Sequence, residues 1–227
     1  MKFQIIRFLF VGILFQLNCA VGQNFADLDF ENAVIVPASS SPYYPYAVYA
    51  SEALPGWMVG SGNYLGVSTI NYDDTSLGAT SVQLFGVDSQ YSEPPLAGNF
   101  SIDLYGGVTS AAGASISQTA VVPSGAAAIE FIASGSSQFG ALLVSLGGQD
   151  ISYSAISVGP DFTTYAANIP PALADQIETL SFTATEGDNN YWEIDNIGFS
   201  PNSVPEPTTL VLAGLGVISV LYLRHKV

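Results

Sequence analysis

From Gly98 to Tyr105 the side chains alternate along the backbone. Phe100, Ile102 and Leu104 take one side; Ser101, Asp103 and Tyr105 take the other. A period of two marks a β-strand with one face buried. Short runs of the same kind recur at 24–30, 57–59, 64–70, 81–85, 115–122, 127–133, 141–146, 151–156, 162–167, 179–185 and 192–199. Gly147-Gly148-Gln149-Asp150, between two of these runs, predicts a hairpin. Only 172–177 reads as a helical turn. Many short strands separated by Gly, Pro and Asp predict an all-β fold, an antiparallel β-sandwich of the jelly-roll kind. No internal repeat is visible, which argues against a solenoid or propeller.

The two ends break the pattern. Residues 1–22 carry Lys2 and Arg7, then an apolar core from Phe8 to Phe15, then the small residues Ala20-Val21-Gly22. That order predicts a secretory signal helix cleaved after Gly22. Cys19 raises the alternative of a lipoprotein signal, to which Asn18 is a poor fit. Cleavage after Gly22 leaves no cysteine, so burial without disulfides must hold the exported part together. At the other end Val204-Pro205-Glu206-Pro207 precedes an uncharged apolar run from Thr208 through Leu210 to Leu223. At about 1.5 Å per residue this run is roughly 24 Å long, enough for a short transmembrane helix. Arg224, His225 and Lys226 follow and would stay cytoplasmic. The predicted order is a signal peptide at 1–22, an extracytoplasmic domain at 23–203 and an anchor segment at 204–227. About 180 residues in the middle are enough for one domain with its own core.

Charge sharpens this division. The four Lys and Arg are Lys2, Arg7, Arg224 and Lys226, and the single histidine is His225. Between residues 23 and 203 stand eighteen Asp and Glu and no cationic side chain. Nucleic acid is therefore excluded as a partner of this part, because phosphate binding needs Lys or Arg. Nucleophile–base pairs lack their base. Buried acids must accept hydrogen bonds, take up a proton or hold a metal ion.

The tail resembles the PEP-CTERM sorting signal of bacterial exported proteins. Val204-Pro205-Glu206-Pro207, the apolar helix with Gly214 and Gly216, and the basic end carry the likeness, though the family's basic cluster is often richer in Arg. The resemblance implies processing by an exosortase, a membrane protease or transpeptidase, and delivery to the cell surface or extracellular matrix. An ordinary membrane anchor is the alternative.

The body resembles galactose-binding-like jelly rolls, the fold of many carbohydrate-binding modules. Leu28-Asp29-Phe30-Glu31-Asn32, Leu54-Pro55-Gly56-Trp57 and Tyr191-Trp192-Glu193-Ile194-Asp195-Asn196-Ile197-Gly198-Phe199 carry that likeness. It implies a structural Ca2+ held by Glu31 and Asp195; solvated strand ends are the alternative. Tyr43, Tyr44, Tyr46 and Tyr49 lie in a Pro-broken loop and could stack on sugar faces or pack across the sandwich. Tyr91 and Tyr105 are weaker candidates, while Trp57 and Trp192 read as core. Asp188-Asn189-Asn190 reads as an oxygen-rich loop or a turn. Asp73-Asp74 and Glu193/Asp195 are adjacent or alternate acids of the kind a glycosidase pairs; turn residues or solvated strand faces are the alternative. The leading expectation is a non-catalytic exported surface or matrix protein that binds exopolysaccharide. The alternatives are a purely structural acidic surface protein and a small glycan-acting hydrolase.

Overall fold

The computed structural model describes residues 23–39, 46–74, 79–88, 94–108, 112–137, 140–188 and 190–204. Fourteen strands are described: β1 Ala47–Tyr49, β2 Met58–Ser61, β3 Tyr64–Leu65, β4 Thr69–Tyr72, β5 Ser81–Gly86, β6 Phe100–Tyr105, β7 Ala114–Val121, β8 Ala128–Ser137, β9 Leu142–Leu146, β10 Gln149–Asp150, β11 Tyr153–Val158, β12 Thr163–Asn168, β13 Ile177–Ala184 and β14 Asn190–Ser200. A four-residue helix, Ala50–Ala53, and a 3₁₀ turn, Pro171–Leu173, complete the described elements.

The strands form two sheets, ordered β1-β4-β5-β6-β14-β8-β12-β11 and β10-β9-β13-β7-β2-β3. Pairing is antiparallel except between β4 and β5, which run parallel with Asn71 opposite Gln83. The predicted sandwich is therefore present, with one mixed sheet. Its core is the sum of the inward halves of the alternations. Ile102 and Leu104 of β6, Trp192 and Ile194 of β14, Ile116 of β7 and Leu180 and Phe182 of β13 are all buried in one cluster. Each such large side chain contributes about 1.5–3 kcal/mol on burial. Phe131 packs edge-on against Phe182, 5.2 Å between centroids, and stacks with Tyr165 at 5.5 Å.

Four sequence expectations change. The run 24–30 is not a strand: it makes one bridge, Asn24 to Val121, and then turns, with Asp27 and Phe30 at φ 50° and 56°. Its apolar side chains dock on the sheets instead of pairing within them. The run 64–70 divides between the sheets at Gly66, which sits at φ +69°. The run 151–156 does not continue the hairpin. Gln149–Asp150 closes the tight turn on β9 at Gly147-Gly148, and the chain then crosses to the other sheet as β11. There Tyr153 meets Phe131, 5.6 Å between centroids. Finally Ala47–Tyr49, expected within a loop, is a strand paired with β4.

The outer faces of the sheets differ. On the six-stranded sheet small hydroxyls line the middle of the outer face, with Thr119 hydrogen-bonded to Thr179 at 2.7 Å and Ser145 to Ser181 at 2.8 Å, while Met58, Leu143 and Ile177 are exposed around them. On the eight-stranded sheet the outward positions of β6 are buried as well.

Candidate functional site

Three stretches distant in sequence meet at one end of the sandwich. The Trp57 indole N–H donates to the Asp27 carbonyl at 2.9 Å, and the Phe30 and Trp57 rings lie 5.8 Å apart. The Ile197 amide donates to the Leu28 carbonyl at 2.9 Å. The opening loop, the Pro-Gly-Trp segment and the last strand are thus one structural unit.

A defect in β14 creates the acidic part of this unit. Ile194 and Ile197 both face the core although they are three residues apart, an odd spacing that a regular strand does not allow. A bulge between Asp195 and Gly198 absorbs the difference, with Asn196 at φ 48°. Asp195 lies at its start and is only 1 % exposed. Its Oδ1 accepts the Asn196 amide at 2.6 Å and its Oδ2 accepts the Ala97 amide at 3.0 Å.

Glu31 reaches the same 97–100 segment from the opening loop. Its Oε1 accepts the Asn99 amide at 2.6 Å and the Phe100 amide at 3.2 Å, and its Oε2 accepts Asn99 Nδ2 at 2.7 Å. Gly98 between them has φ +60°, and a Cβ there would collide with the Glu31 carboxylate. Only glycine meets both demands.

The two carboxyls answer differently to burial. Burial pushes Asp195 up to about 7, the Asn196 and Ala97 amides oppose the rise, and the nearby charges of Glu31 and Asp29 add to it. Burial also acts against charge on Glu31, but the hydrogen bonds from Asn99 and Phe100 outweigh it and hold this group below the ordinary value. Asp27 is raised, chiefly by burial, against the Asn32 hydrogen bonds. Asn32 donates to Asp27 Oδ1 at 2.9 Å, while Oδ2 is buried without a partner.

The carboxylate oxygens of Glu31 and Asp195 all accept N–H groups, and the one orphaned buried oxygen of this unit is Asp27 Oδ2; a hard cation would have to draw on these oxygens. No three acidic side chains converge closely enough to hold a metal by themselves among the described residues. A calcium ion here would also need backbone carbonyls.

The other candidates scatter. Tyr46 and Tyr49 are 38 % and 43 % exposed, Tyr49 at the end of β1. Tyr43, Tyr44 and Tyr91 lie outside the described residues. Trp57 and Trp192 are core, as expected. Asp73 Oδ1 accepts the Gly86 amide at 2.8 Å, tying the end of β4 to the end of β5. Asn190 is fully buried, bonded to the Thr185 carbonyl at 2.7 Å and to the Trp192 indole at 3.0 Å. A cleft of about 190 Å³ beside Val59, Ser61, Val67, Thr69 and Thr80 has no acid, base or aromatic ring in its lining.

Sequence reasoning missed the outer face of the eight-stranded sheet. Asp103 and Glu193 stand directly opposite each other on β6 and β14, each 5 % exposed. Ser101, fully buried, donates to Glu193 Oε1. Burial alone pushes Asp103 up to about 7. The alternation assigned Asp103 to the outward face, but its opposition to Glu193 depends on register across 90 residues.

Val204, the first residue of the tail motif, has its amide and carbonyl bonded to the Asn168 side chain at 2.7 and 3.2 Å. Pro205, Glu206, Pro207, Leu210, Leu223, Arg224 and Lys226, like the expected signal segment at 1–22, lie outside the described residues. No helix among the described residues is long and apolar enough to cross a membrane.

Residues 203–226 match the family described as the PEP-CTERM protein-sorting motif. The tail resemblance is thereby borne out, and it implies an exported, sorted protein. None of the curated proteins matches the chain. Among solved structures, a cyclase from Fischerella sp. TAU in complex with 4-(1H-indol-3-yl)butan-2-one is similar at 16% identity and TM-score 0.46, over 82% of this chain and 100% of that one. The K2 cleaved adhesin domain of Lys-gingipain is similar at 11% identity and TM-score 0.45, over 76% of this chain and 96% of that one.

Proposed function

We propose that the protein is a non-catalytic component of a bacterial cell surface or extracellular matrix, delivered through its C-terminal motif and binding polysaccharide there. The observation that carries this reading is the sorting motif at 203–226 joined to an acidic sandwich. An exosortase-type protease is the partner at the membrane, with the apolar run 208–223 holding the precursor until it is cut. The middle of the chain supports a binding role, since it lacks every Lys, Arg and His a nucleophilic mechanism would recruit. Calcium belongs to the same reading. Glu31 and Asp195, with the Asp27 loop, would hold it and lock the opening loop to the last strand, offsetting the charge no protein cation offsets.

A glycan panel tests the binding role. The full chain, purified in detergent, is expected to retain at least one polysaccharide class, and silence across neutral, acidic and amine-bearing glycans would leave only a structural surface role. Thermal melts with calcium and with chelator test the ion. At a hundredfold excess over its dissociation constant a bound ion adds about 2.7 kcal/mol. The midpoint is expected to rise with calcium and to stop responding in Glu31→Gln and Asp195→Asn. An unchanged wild-type midpoint removes the ion from the account.

A further inference from the structure

The two sheets part where the chain passes from one to the other. After β3 the backbone turns at Gly66, and the Gly66 and Val67 amides both donate to the Val59 carbonyl, at 2.8 and 3.1 Å. The chain then enters β4 of the other sheet. There the parallel pairing with β5 covers only Asn71 and Tyr72, so the two strands separate before those residues. The cleft of about 190 Å³ opens at this point, walled by Val59, Val67, Ile70 and Val82, with Ser61 and Thr80 among its polar groups.

The lining selects what can enter. Ser61 Oγ donates its proton to the Thr80 carbonyl at 2.9 Å, and Thr80 Oγ1 donates to the Gly106 carbonyl at 2.9 Å. A hydroxyl has one proton and two lone pairs, so both oxygens remain as acceptors. A ligand must therefore bring donors of its own. It must also be neutral: no charged side chain lines the cleft, and a charge taken from water without a partner is strongly disfavoured.

Tyr64 stands beside this cleft. It lies directly opposite Ser61 in the β2–β3 hairpin, which puts both side chains on one face of the sheet, yet it is 74 % exposed. Its flat ring is available to a partner with an apolar C–H face.

Hydroxyl donors, neutrality and an apolar C–H face occur together on an uncharged sugar. We infer that the cleft seats one neutral hexose unit of a polysaccharide, its hydroxyls donating to Ser61 and Thr80 and its ring lying on Tyr64. The inference rests on the polysaccharide reading above and narrows it to uncharged glycans.

Titration calorimetry of the full chain, in a detergent without a sugar headgroup, tests this with the hexamers of glucose, galactose, mannose and galacturonic acid. The expected result is binding of at least one neutral hexamer and none of the galacturonic acid hexamer. Tyr64→Ala, at an exposed position, should weaken binding by about tenfold with the melting midpoint unchanged. Ser61→Ala should weaken it by about threefold or more, the usual effect of losing one hydrogen bond, and Tyr64→Ala decides if that variant does not fold. Tyr191→Ala, removing a tyrosine 43 % exposed on β14, should leave binding unchanged. Binding indifferent to Tyr64, or equal binding of the galacturonic acid hexamer, overturns the inference. Binding of other glycans but of none of the neutral hexamers overturns it while sparing the polysaccharide reading; silence towards all glycans removes both.

Discussion

Asp195 and Asp103 share a thermodynamic consequence. An unfolded aspartate titrates near 3.9, whereas burial raises both of these to about 7. Below about pH 4 each is protonated in both states, and the shift costs nothing. Between about 4 and 7 the folded chain keeps protons the unfolded chain has released, so stability falls as pH rises; above about 7 the full cost is present. The melting midpoint in the absence of calcium is therefore expected to be higher at pH 5 than at pH 8, as read by circular dichroism. Asp103→Asn should raise the midpoint at pH 8 and flatten the slope, and a midpoint climbing from pH 5 to 8 would contradict this. Gly98 makes a second prediction. Gly98→Ala strains a left-handed residue and displaces Glu31 from three hydrogen bonds, so a loss of about 1–3 kcal/mol in urea unfolding is expected.

Alternation along single strands was legible in most of the longer strands, though not in the short β1. The run at 100–105 became β6 with Ile102 and Leu104 inward, because water on one side and apolar side chains on the other act on alternate residues. The same pattern failed at 24–30, where Asn32 closes a turn on Asp27 and apolar residues are buried by docking. It failed again at 64–70, since nothing local says that residues on either side of Gly66 join different sheets. The inward and outward halves should differ sharply in cost. Ile102→Ala, inside the core, should lose about 2–5 kcal/mol. Ser117→Ala, on the hydroxyl-coated face of β7, should change stability by less than about 0.5 kcal/mol. Chemical denaturation of both variants provides the comparison.

Across the whole molecule, positive charge belongs to the two terminal segments and negative charge mostly to the sandwich between them. Replacing Pro205, Glu206 and Pro207 together with Ala should leave an unprocessed precursor in the membrane fraction, read as a larger band on an immunoblot of fractionated cells. Normal processing of that variant would remove the motif from the sorting step. The same scale explains what the candidate sites owe to folding. Glu31 and Asp195 were named from two ends of a pattern, and the 97–100 segment that joins them was invisible, because its contribution is backbone N–H groups common to every residue. The pairing of Asp103 with Glu193 carried no mark, since the sequence set Glu193 beside Asp195 and Asp103 on the outward side of its own strand.

The sequence by itself determined the C-terminal sorting motif, the all-β class and the absence of any cation between residues 23 and 203, because each is a property of composition or of neighbouring residues. Tertiary structure alone decided which acids lose water and which meet one another. Burial and strand register are set by pairings between residues up to a hundred positions apart, and no local pattern encodes them.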